Sequence, residues 1–346
     1  MRLVVDVMGD PTAPRAAIKG SKAMLSKYPD LEIILYGVEK EIEKNLIGRN
    51  PSGLRFFYSK DAILPEDLSS AARHKRNSSM VKSAELVRDD IADGMVSSGN
   101  TPALVAAATF KLGRIDGVQA PALTARFPTV KGEALVLDVG AIKDCTPKQL
   151  VQLAIMAREY LRSMGIENPT VGLLSIGSEE SKGNNLVVAT HKFLKENNFP
   201  GFVGNIEPAG IFAHEADIIL ADGFSGNILI KAIEAILSFI ARGIKKRIRQ
   251  NLFMTAYCLI TLPLALPFLL AVLLDIVRKI DPNRYDGAPL LGLKKLCVKA
   301  HGSSSARGFA NAIETAYLAV KGQGDYANSV TEALSIWMPI LDKASQ

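Results

Sequence analysis

Short apolar runs alternate with segments of helical periodicity along most of the chain. Runs rich in β-branched residues and bounded by glycine or polar residues predict strands. The predicted strands are Leu3 to Val7, Glu32 to Tyr36, Gly94 to Ser97, Ala134 to Val139, Thr170 to Ile176 and Ile218 to Ala221. This alternation predicts a three-layer α/β/α fold, with a mostly parallel sheet covered by helices on both faces. We expect residues 1–346 to form a single α/β domain.

Several predicted strands end directly in small, polar or glycine-containing turns. These turns are DVMGD at 6–10, SSGNT at 97–101, DVGA at 138–141, SIGSEESKGNN at 175–185 and DGFSGN at 222–227. In an open α/β sheet, ligands collect at the carboxyl ends of the strands, where turns meet helix N-termini. Any one of these sequences is typical of a plain turn. Their recurrence predicts a shared site in which backbone N–H groups bind an anion.

An amphipathic helix is predicted from Asn227. Its apolar residues repeat at helical spacing and predict one apolar face, at Leu229, Ile233, Ile236, Leu237, Ile240, Ile244 and Ile248. Basic residues crowd the end of the helix away from that stripe. An uncharged segment from Asn251 to Leu274 follows, long enough by itself to span a bilayer.

Two prolines argue against a spanning helix in this segment. Pro263 and Pro267 interrupt it, so two short helices that meet at a bend are predicted instead. We expect residues 240–284 to form an inserted helical hairpin that protrudes from the domain and contacts the membrane surface through its apolar tip. The tip residues are Leu262, Leu266, Phe268 and Leu269. Burial of the hairpin in a dimer interface is the alternative.

Composition and charge narrow the class of protein. Lys and Arg outnumber Asp and Glu by 41 to 35, which fits an acidic partner or an anionic lipid surface. No basic run is interleaved with stacking aromatics, so we expect no nucleic-acid partner. Cys145, Cys258 and Cys297 lie far apart without metal-ligand spacing, and the N-terminus enters a strand at once. A cytoplasmic protein without a metal is therefore predicted, with the cysteines serving as packing residues.

A series of motifs in fixed order resembles the phosphate acyltransferase (PlsX-type) family over nearly the whole chain. The motifs are VDVMGD, HKRNSSM, SSGNT, LDVGA, GLLSIGSEESKGN, GNIEP, ADGFSGN, YDGAPLLGLK and KAHGSSSA. The resemblance implies an isocitrate dehydrogenase-like and phosphotransacetylase-like fold and a homodimer without metal or nucleotide cofactors. It also implies transfer of a fatty acyl group from acyl carrier protein to inorganic phosphate. The acyl phosphate would serve phospholipid synthesis, through a membrane glycerol-3-phosphate acyltransferase that acts next.

Four residues in the matched motifs are candidate catalytic groups. Lys182 and Asn184 follow a predicted strand and suit an anion or a developing oxyanion, although a loop lysine can equally be solvated. Asn227 follows DGFSG, and capping of the next helix is its alternative role. His301 opens HGSS and could protonate a leaving thiolate, or simply cap or pack. The other histidines, His74, His191 and His214, are expected at the surface.

Residues in the remaining turns are candidates for binding phosphate and substrate. They are Asp6, Gly9, Asn100, Thr101, Asp138, Gly140, Asp222, Gly226 and Ser303. The carboxylates and amides among them could orient a donor or cap a helix, and one residue can do both. Lys75 and Arg76 are candidates for a basic rim that meets the acidic carrier protein, with an ordinary charged helix start as the alternative.

Several positions depart from the residues usual in the family. They are Pro11, Ala120, Ile142, Ser175, Ala209, Gly210 and Ser305. Together they remove a cation and several polar side chains from loops that should line the site. We therefore weigh three functions: an active phosphate acyltransferase, a catalytically degenerate scaffold that binds carrier protein or membrane, and a short-chain phosphotransacetylase. The chemistry of the first needs alignment and oxyanion stabilisation but no covalent acyl-enzyme.

Overall fold

The computed structural model describes residues 1–9, 13–250, 286–302, 304–322 and 324–344. The strands are β1 (Arg2–Asp6), β2 (Glu32–Val38), β3 (Leu54–Ser59), β4 (Gly94–Ser97), β5 (Ala122–Thr129), β6 (Gly132–Leu137), β7 (Val171–Leu174), β8 (Phe202–Ile206), β9 (Ile218–Leu220), β10 (Ala288–Leu291) and β11 (Leu296–Lys299). The helices are α1 (Ala13–Lys27), α2 (Glu39–Asn45), α3 (Ala71–His74), α4 (Ser79–Arg88), α5 (Thr101–Leu112), α6 (Pro147–Ser163), α7 (Asn185–Glu196), α8 (Pro208–Ala213), α9 (Gly223–Gln250), α10 (Ala306–Gly322) and α11 (Tyr326–Ala344).

All of these strands belong to one sheet, with the order β3-β2-β1-β4-β11-β10-β5-β6-β9-β7-β8. The first five strands in that order run parallel to one another, and so do the last four. Between them, β10 is antiparallel to both β11 and β5, and β5 is antiparallel to β6. The two parallel halves therefore point in opposite directions. We call them the first half (β3 to β11) and the second half (β6 to β8).

The register of the central strands determines how far the two halves are shifted relative to each other along the strand direction. Lys299 at the end of β11 pairs with Ala288, and Val298 pairs with Pro289. Leu290 pairs with Leu123, and the next residue of β5 pairs with Leu137 at the end of β6. When these pairs are traced from strand to strand, the carboxyl ends of β11 and β6 lie about one residue apart along the strand direction. The lateral separation is three strand spacings, roughly 14 Å.

Helices cover both faces of the sheet, which confirms the predicted three-layer fold. On one face, a core cluster draws on both halves, with Val4, Met95 and Cys297 from the first and Val136 and Ile219 from the second. On the opposite face, each half has its own cluster. The first half packs on α1 and α10, and the second packs on α6, α7 and α11. We call the face with the joint cluster the shared face.

Helix α9 lies on the shared face and links the halves. Leu229, Ile230 and Ile233 pack against the joint cluster. The periodicity from Asn227 correctly predicts this helix, but Ile236 and Ile240 from the predicted apolar face are exposed, because α9 continues beyond the cluster after Ile233.

All six predicted strands are present, with ends shifted by up to two residues. The strands β3, β5, β8, β10 and β11 are not among those that the sequence pattern predicts. Most of the predicted hairpin, including Leu262, Leu266, Phe268 and Leu269, lies outside the described residues, as does Pro11. None of the helices in the described ranges contains an apolar run of the length that a bilayer crossing requires.

Candidate active site

The turns after β1 and β4 meet around a buried carboxylate. Asp6 is 1% exposed and accepts hydrogen bonds from the hydroxyls of Ser79 (2.6 Å) and Ser97 (2.7 Å) and from the Met8 amide (3.2 Å). Burial raises the pKa of this carboxyl, against the three hydrogen bonds that lower it. The predicted site residue Asp6 is thus occupied in tying two turns to the start of α4.

Gly9 lets these turns approach each other closely. A Cβ on Gly9 would lie 2.2 Å from the Gly99 amide nitrogen, and because that atom belongs to the backbone, only glycine fits at this position. The main chain of the DVMGD turn therefore rests directly on the SSGNT turn.

The polar residues that follow β4 begin helix α5. Asn100 is the N-cap, and its side-chain oxygen accepts from the Ala103 amide at 3.0 Å while its Nδ2 donates to the Pro65 carbonyl at 2.8 Å. Thr101 is half-buried at the first position of the helix. Of the two roles left open by the sequence for Asn100, the capping role is observed, and ligand binding stays a prediction.

The turn after β11 is held by a second buried carboxylate. Asp286 accepts from the His301 amide and the Gly287 amide, both at 2.8 Å, and from the Ser304 hydroxyl. The imidazole of His301 is exposed, and its Nε2 lies 3.4 Å from Oε1 of Glu234 on α9. His301 and then Lys231 lower the pKa of the Glu234 carboxyl to about 2. Ser303 lies outside the described residues.

Lys299, just before this turn, was not predicted as a site residue. Its side chain is on the shared face, because alternation along β11 puts it on the same side as Cys297 of the joint cluster. It is 8% exposed, and Nζ donates to the carbonyls of Ser98 (3.2 Å) and Ala300. The ammonium group thus joins the turn after β4 to the turn after β11.

The turn after β6 folds around Asp138. This buried carboxylate accepts hydrogen bonds from the amides of Leu123, Gly140, Ala141 and Ile142. Burial raises its pKa, and the backbone hydrogen bonds lower it. The amides of residues 140–142 are therefore satisfied inside the protein. At the departure Ile142, the backbone makes the contacts: its amide donates to Asp138 and its carbonyl accepts from Gly223 at 2.9 Å.

The start of α9 packs against the same turn. Asp222 accepts from the amides of Phe224 (3.0 Å) and Ser225 (2.9 Å), which satisfies the first turn of the helix. A Cβ on Gly226 would lie 2.0 Å from the Asp138 carbonyl oxygen, so only glycine allows this contact. Asn227 is exposed and lies beside Gly140, whose φ of 133° favours glycine.

The loop that carries Lys182 follows β7, and hydrogen bonds to its backbone carbonyls hold it in place. Ser175 donates through its hydroxyl to the Lys182 carbonyl at 3.2 Å, so this departure from the family has a structural role. Asn205 at the end of β8 donates to the carbonyls of Glu179 (2.8 Å) and Lys182 (3.4 Å). The Lys182 side chain is exposed, and Asn184 caps α7 by accepting from the Val187 amide at 3.0 Å.

A buried histidine completes this support. The prediction that His191 lies at the surface is wrong: it is 4% exposed, and Nδ1 lies 2.9 Å from Oδ1 of Asn205. Because that oxygen can only accept, the geometry assigns the proton to Nδ1. His191 thereby orients the amide of Asn205 toward the Lys182 loop. Its helical context gave no signal for burial beyond its place one turn after Val187.

The two predicted rim residues differ in their surroundings. Lys75 forms an ion pair with Asp67 at 2.7 Å and donates to the Ala62 carbonyl at 3.1 Å, while Arg76 is exposed. Asp67 raises the pKa of Lys75. Among the other departures, Ala120 is half-buried, Ala209 is exposed, and a Cβ on Gly210 would lie 2.4 Å from the Glu215 carboxylate.

The predicted residues thus fall into two groups on the two halves of the sheet. Asp6, Gly9, Asn100, Thr101 and His301 lie at the carboxyl ends of the first half. Asp138, Gly140, Lys182, Asn184, Asp222, Gly226 and Asn227 lie at those of the second. The contact between Glu234 and His301 connects the groups through α9. Within the described part of the chain, no group of three or more His, Cys, Asp or Glu side chains could hold a metal ion.

Comparison with known proteins identifies the family. A family model described as "Fatty acid synthesis protein" matches residues 1–324. The phosphate acyltransferase of Brevibacillus brevis is 40% identical over 319 residues, covering 91% of this chain and 92% of the relative. That of Thermoanaerobacter pseudethanolicus is 38% identical over 318 residues, with 91% and 92% covered. The chain belongs to the phosphate acyltransferase family and is an acyltransferase.

Solved structures of similar shape support the fold. A branched-chain phosphotransacylase from Enterococcus faecalis aligns with a TM-score of 0.58 at 14% identity, covering 92% of this chain and 99% of that one. A phosphotransacetylase from Streptococcus pyogenes aligns with a TM-score of 0.54 at 16% identity, covering 93% and 94%. At these identities the likeness concerns the fold alone, and it confirms the predicted phosphotransacetylase-like architecture.

The side-chain amide of Asn205 is expected to restrict the motion of the Lys182 loop. Asn205→Ala removes the amide that holds two carbonyls of the loop, so we expect hydrogen exchange in residues 176–184 to accelerate by roughly tenfold, as expected for a loss of about 1.4 kcal/mol in local stability. Exchange measured by mass spectrometry reports this directly.

Thr190→Val is the matched control. The Thr190 hydroxyl is buried and donates to the Leu186 carbonyl at 2.7 Å inside α7, away from the loop. This variant should leave exchange in residues 176–184 unchanged. Equal exchange in the wild type and in Asn205→Ala would contradict the proposed support.

Proposed function

We propose that this enzyme transfers a long-chain fatty acyl group from acyl carrier protein to inorganic phosphate. A phosphate oxygen attacks the thioester carbonyl carbon, and a C–O bond forms. The tetrahedral oxyanion then collapses, the C–S bond breaks, and the carrier thiolate leaves and takes up a proton. The products are an acyl phosphate and the free carrier thiol.

The observation that carries this proposal is the family match over 91% of the chain to relatives named phosphate acyltransferase. The description of the family model as a fatty acid synthesis protein supports a fatty acyl donor. The acyl carrier protein enters through the sequence resemblance, and the modest excess of basic over acidic residues fits its acidic surface.

The exposed polar side chains supply the roles that this chemistry needs. Lys182 offers a cation on a loop whose main chain is fixed, which suits phosphate or the developing oxyanion. His301 is the candidate donor to the leaving thiolate, and Glu234 at 3.4 Å orients its imidazole. Asn184 and Asn227 add amide groups near the turns of the second half.

No cysteine that the structure describes suits an acyl-enzyme intermediate. Burial raises the pKa of Cys145 to about 12 and that of Cys297 to about 12 as well. A thiol with such a pKa carries almost no thiolate at neutral pH, and the thiolate is the nucleophile. Direct attack by phosphate is therefore the simpler route.

We further propose a homodimer that associates with the membrane surface in the cytoplasm. Helix α9 supports this proposal, since Phe224, Ile228, Ile236 and Phe239 are more than half exposed along it. An apolar strip of this kind suits a second copy or a bilayer. Contact with the membrane would let the acyl phosphate pass to a membrane glycerol-3-phosphate acyltransferase.

The reaction is tested by incubating the purified protein with long-chain acyl carrier protein and phosphate. We expect phosphate-dependent release of the carrier thiol, and Lys182→Ala should slow it by roughly 100-fold or more, the usual effect of removing one oxyanion donor. Lys192→Ala is the control, because Lys192 is an exposed lysine on α7 outside the loop.

Each outcome of the assay separates the alternatives. Carrier binding without thiol release would favour the scaffold. Release from acetyl-CoA in preference to long-chain acyl carrier protein would favour the short-chain phosphotransacetylase. Equal rates in Lys182→Ala and Lys192→Ala would remove Lys182 from the mechanism.

Membrane association is tested by flotation with liposomes. We expect the protein to float with vesicles that contain anionic phosphatidylglycerol and to float less as the salt concentration rises, because salt screens headgroup attraction. Protein that stays at the bottom of the gradient even at low salt would favour a hairpin buried between subunits.

A further inference from the structure

The structure buries the cation of Lys299 without an ion-pair partner among the described residues. Its side chain is 8% exposed, and its two hydrogen bonds go to the carbonyls of Ser98 and Ala300. An ammonium group has three N–H donors, so one is left over. Burying a charge away from water is unfavourable unless an opposite charge compensates it.

The two acidic side chains that act electrostatically on Lys299 are already engaged. Asp6 accepts from Ser79, Ser97 and the Met8 amide. Asp286 accepts from the amides of Gly287 and His301 and from the Ser304 hydroxyl. Each carboxylate holds a turn in place, and both act on Lys299 only through space.

The position of the ammonium group suits a ligand of opposite charge. It lies beneath the turns after β4 and β11, where the Gly99 amide donates only to the Ser97 hydroxyl within its own turn, at 3.1 Å. By strand pairing, Lys299 is level with Ser97 and Asp6 at the carboxyl ends of the first half. Anions collect at such ends, and lysine binds phosphate as a point charge.

We propose that Lys299 is an anion-binding residue of the active site, whose ammonium group holds the phosphate substrate from beneath the turns after β4 and β11. This inference rests on the proposed function, since it assigns a residue to the phosphate of that reaction. Phosphate supplies the missing counter-charge, and the carbonyls of Ser98 and Ala300 fix the direction of the ammonium group.

The electrostatic surroundings agree with this assignment. The pKa of the Lys299 ammonium is lowered to about 8: burial is the main cause, Lys231 on α9 acts in the same direction, and Asp286, Cys297 and Asp6 act in the opposite one. Because this pKa is below the ordinary value of 10.5, the buried charge lowers the stability of the folded protein at neutral pH. Stability is therefore expected to rise as the pH increases from about 8 to about 10.5.

The test compares Lys299→Met with Lys295→Met by titration calorimetry with inorganic phosphate at pH 7. Lys295 is a half-buried lysine next to the other end of β11 and pairs with Asp90. We expect Lys299→Met to weaken phosphate binding by at least about tenfold, the value of one charged hydrogen bond. Lys295→Met should bind as the wild type does.

The melting temperature separates ligand binding from a structural role. Because Lys299→Met removes an unpaired buried charge, its melting temperature without phosphate should equal or exceed that of the wild type. A lower melting temperature with unchanged phosphate affinity would overturn the proposal in favour of a structural lysine.

Wild-type protein gives a second test that needs no substitution. Sulfate keeps the same charge over this pH range, so a change in its affinity reports on the protein. We expect sulfate affinity to fall by about tenfold between pH 7 and pH 9, because Lys299 loses its proton over that range. Sulfate affinity that is constant over this range would overturn the proposal. Phosphate-dependent thiol release by the wild type, together with an unchanged phosphate KM in Lys299→Met, would reject this inference and leave the proposed function intact.

Discussion

The three antiparallel pairings in the middle of the sheet, β11 with β10, β10 with β5 and β5 with β6, are the constraint on which the rest of the structure depends. Together they reverse the direction of the sheet and fix its register, so that the carboxyl ends of β11 and β6 lie at nearly the same height. In a sheet with all strands parallel, every ligand-binding turn would lie at the same end of the strands, the carboxyl end. Here two sets of turns approach one another across the middle of one sheet, and α9 spans the space between them.

Buried polar groups keep those turns in shape more often than they face a ligand. Asp6, Asp138 and Asp286 each accept several hydrogen bonds from turns or helix starts, and His191 orients Asn205 in the same manner. Such networks are stabilising only when every member is satisfied. Because buried groups and backbone atoms hold the turns, the chain tolerates departures such as Ile142 and Ser175. At Ile142 the backbone makes the hydrogen bonds, and at Ser175 the hydroxyl does.

The sequence predicted β1, β2, β4, β6, β7 and β9, because each is an apolar run bounded by glycine or polar residues, but it did not predict the parallel strands β3 and β8. It could not predict β10 and β11, which have four residues each, or the register between them, because pairing depends on residues distant in the chain. Capping and binding roles were equally compatible with Asn100, since both need the same amide. Lys299 had one overlooked signal: in the run LCVK, alternation places it on the same face as the apolar Cys297.

The proposed reaction draws on Lys182 in the second half of the sheet and on His301 in the first, so a single ligand has to meet the turns of both halves. The most direct measurement is a titration of ¹⁵N-labelled protein with a non-hydrolysable long-chain acyl phosphonate, followed through backbone amide signals. We expect the amide signals of Gly99 and Gly302 in the first half and those of Gly140 and Gly183 in the second to shift together with one Kd. Shifts confined to one half, or two different dissociation constants, would contradict it.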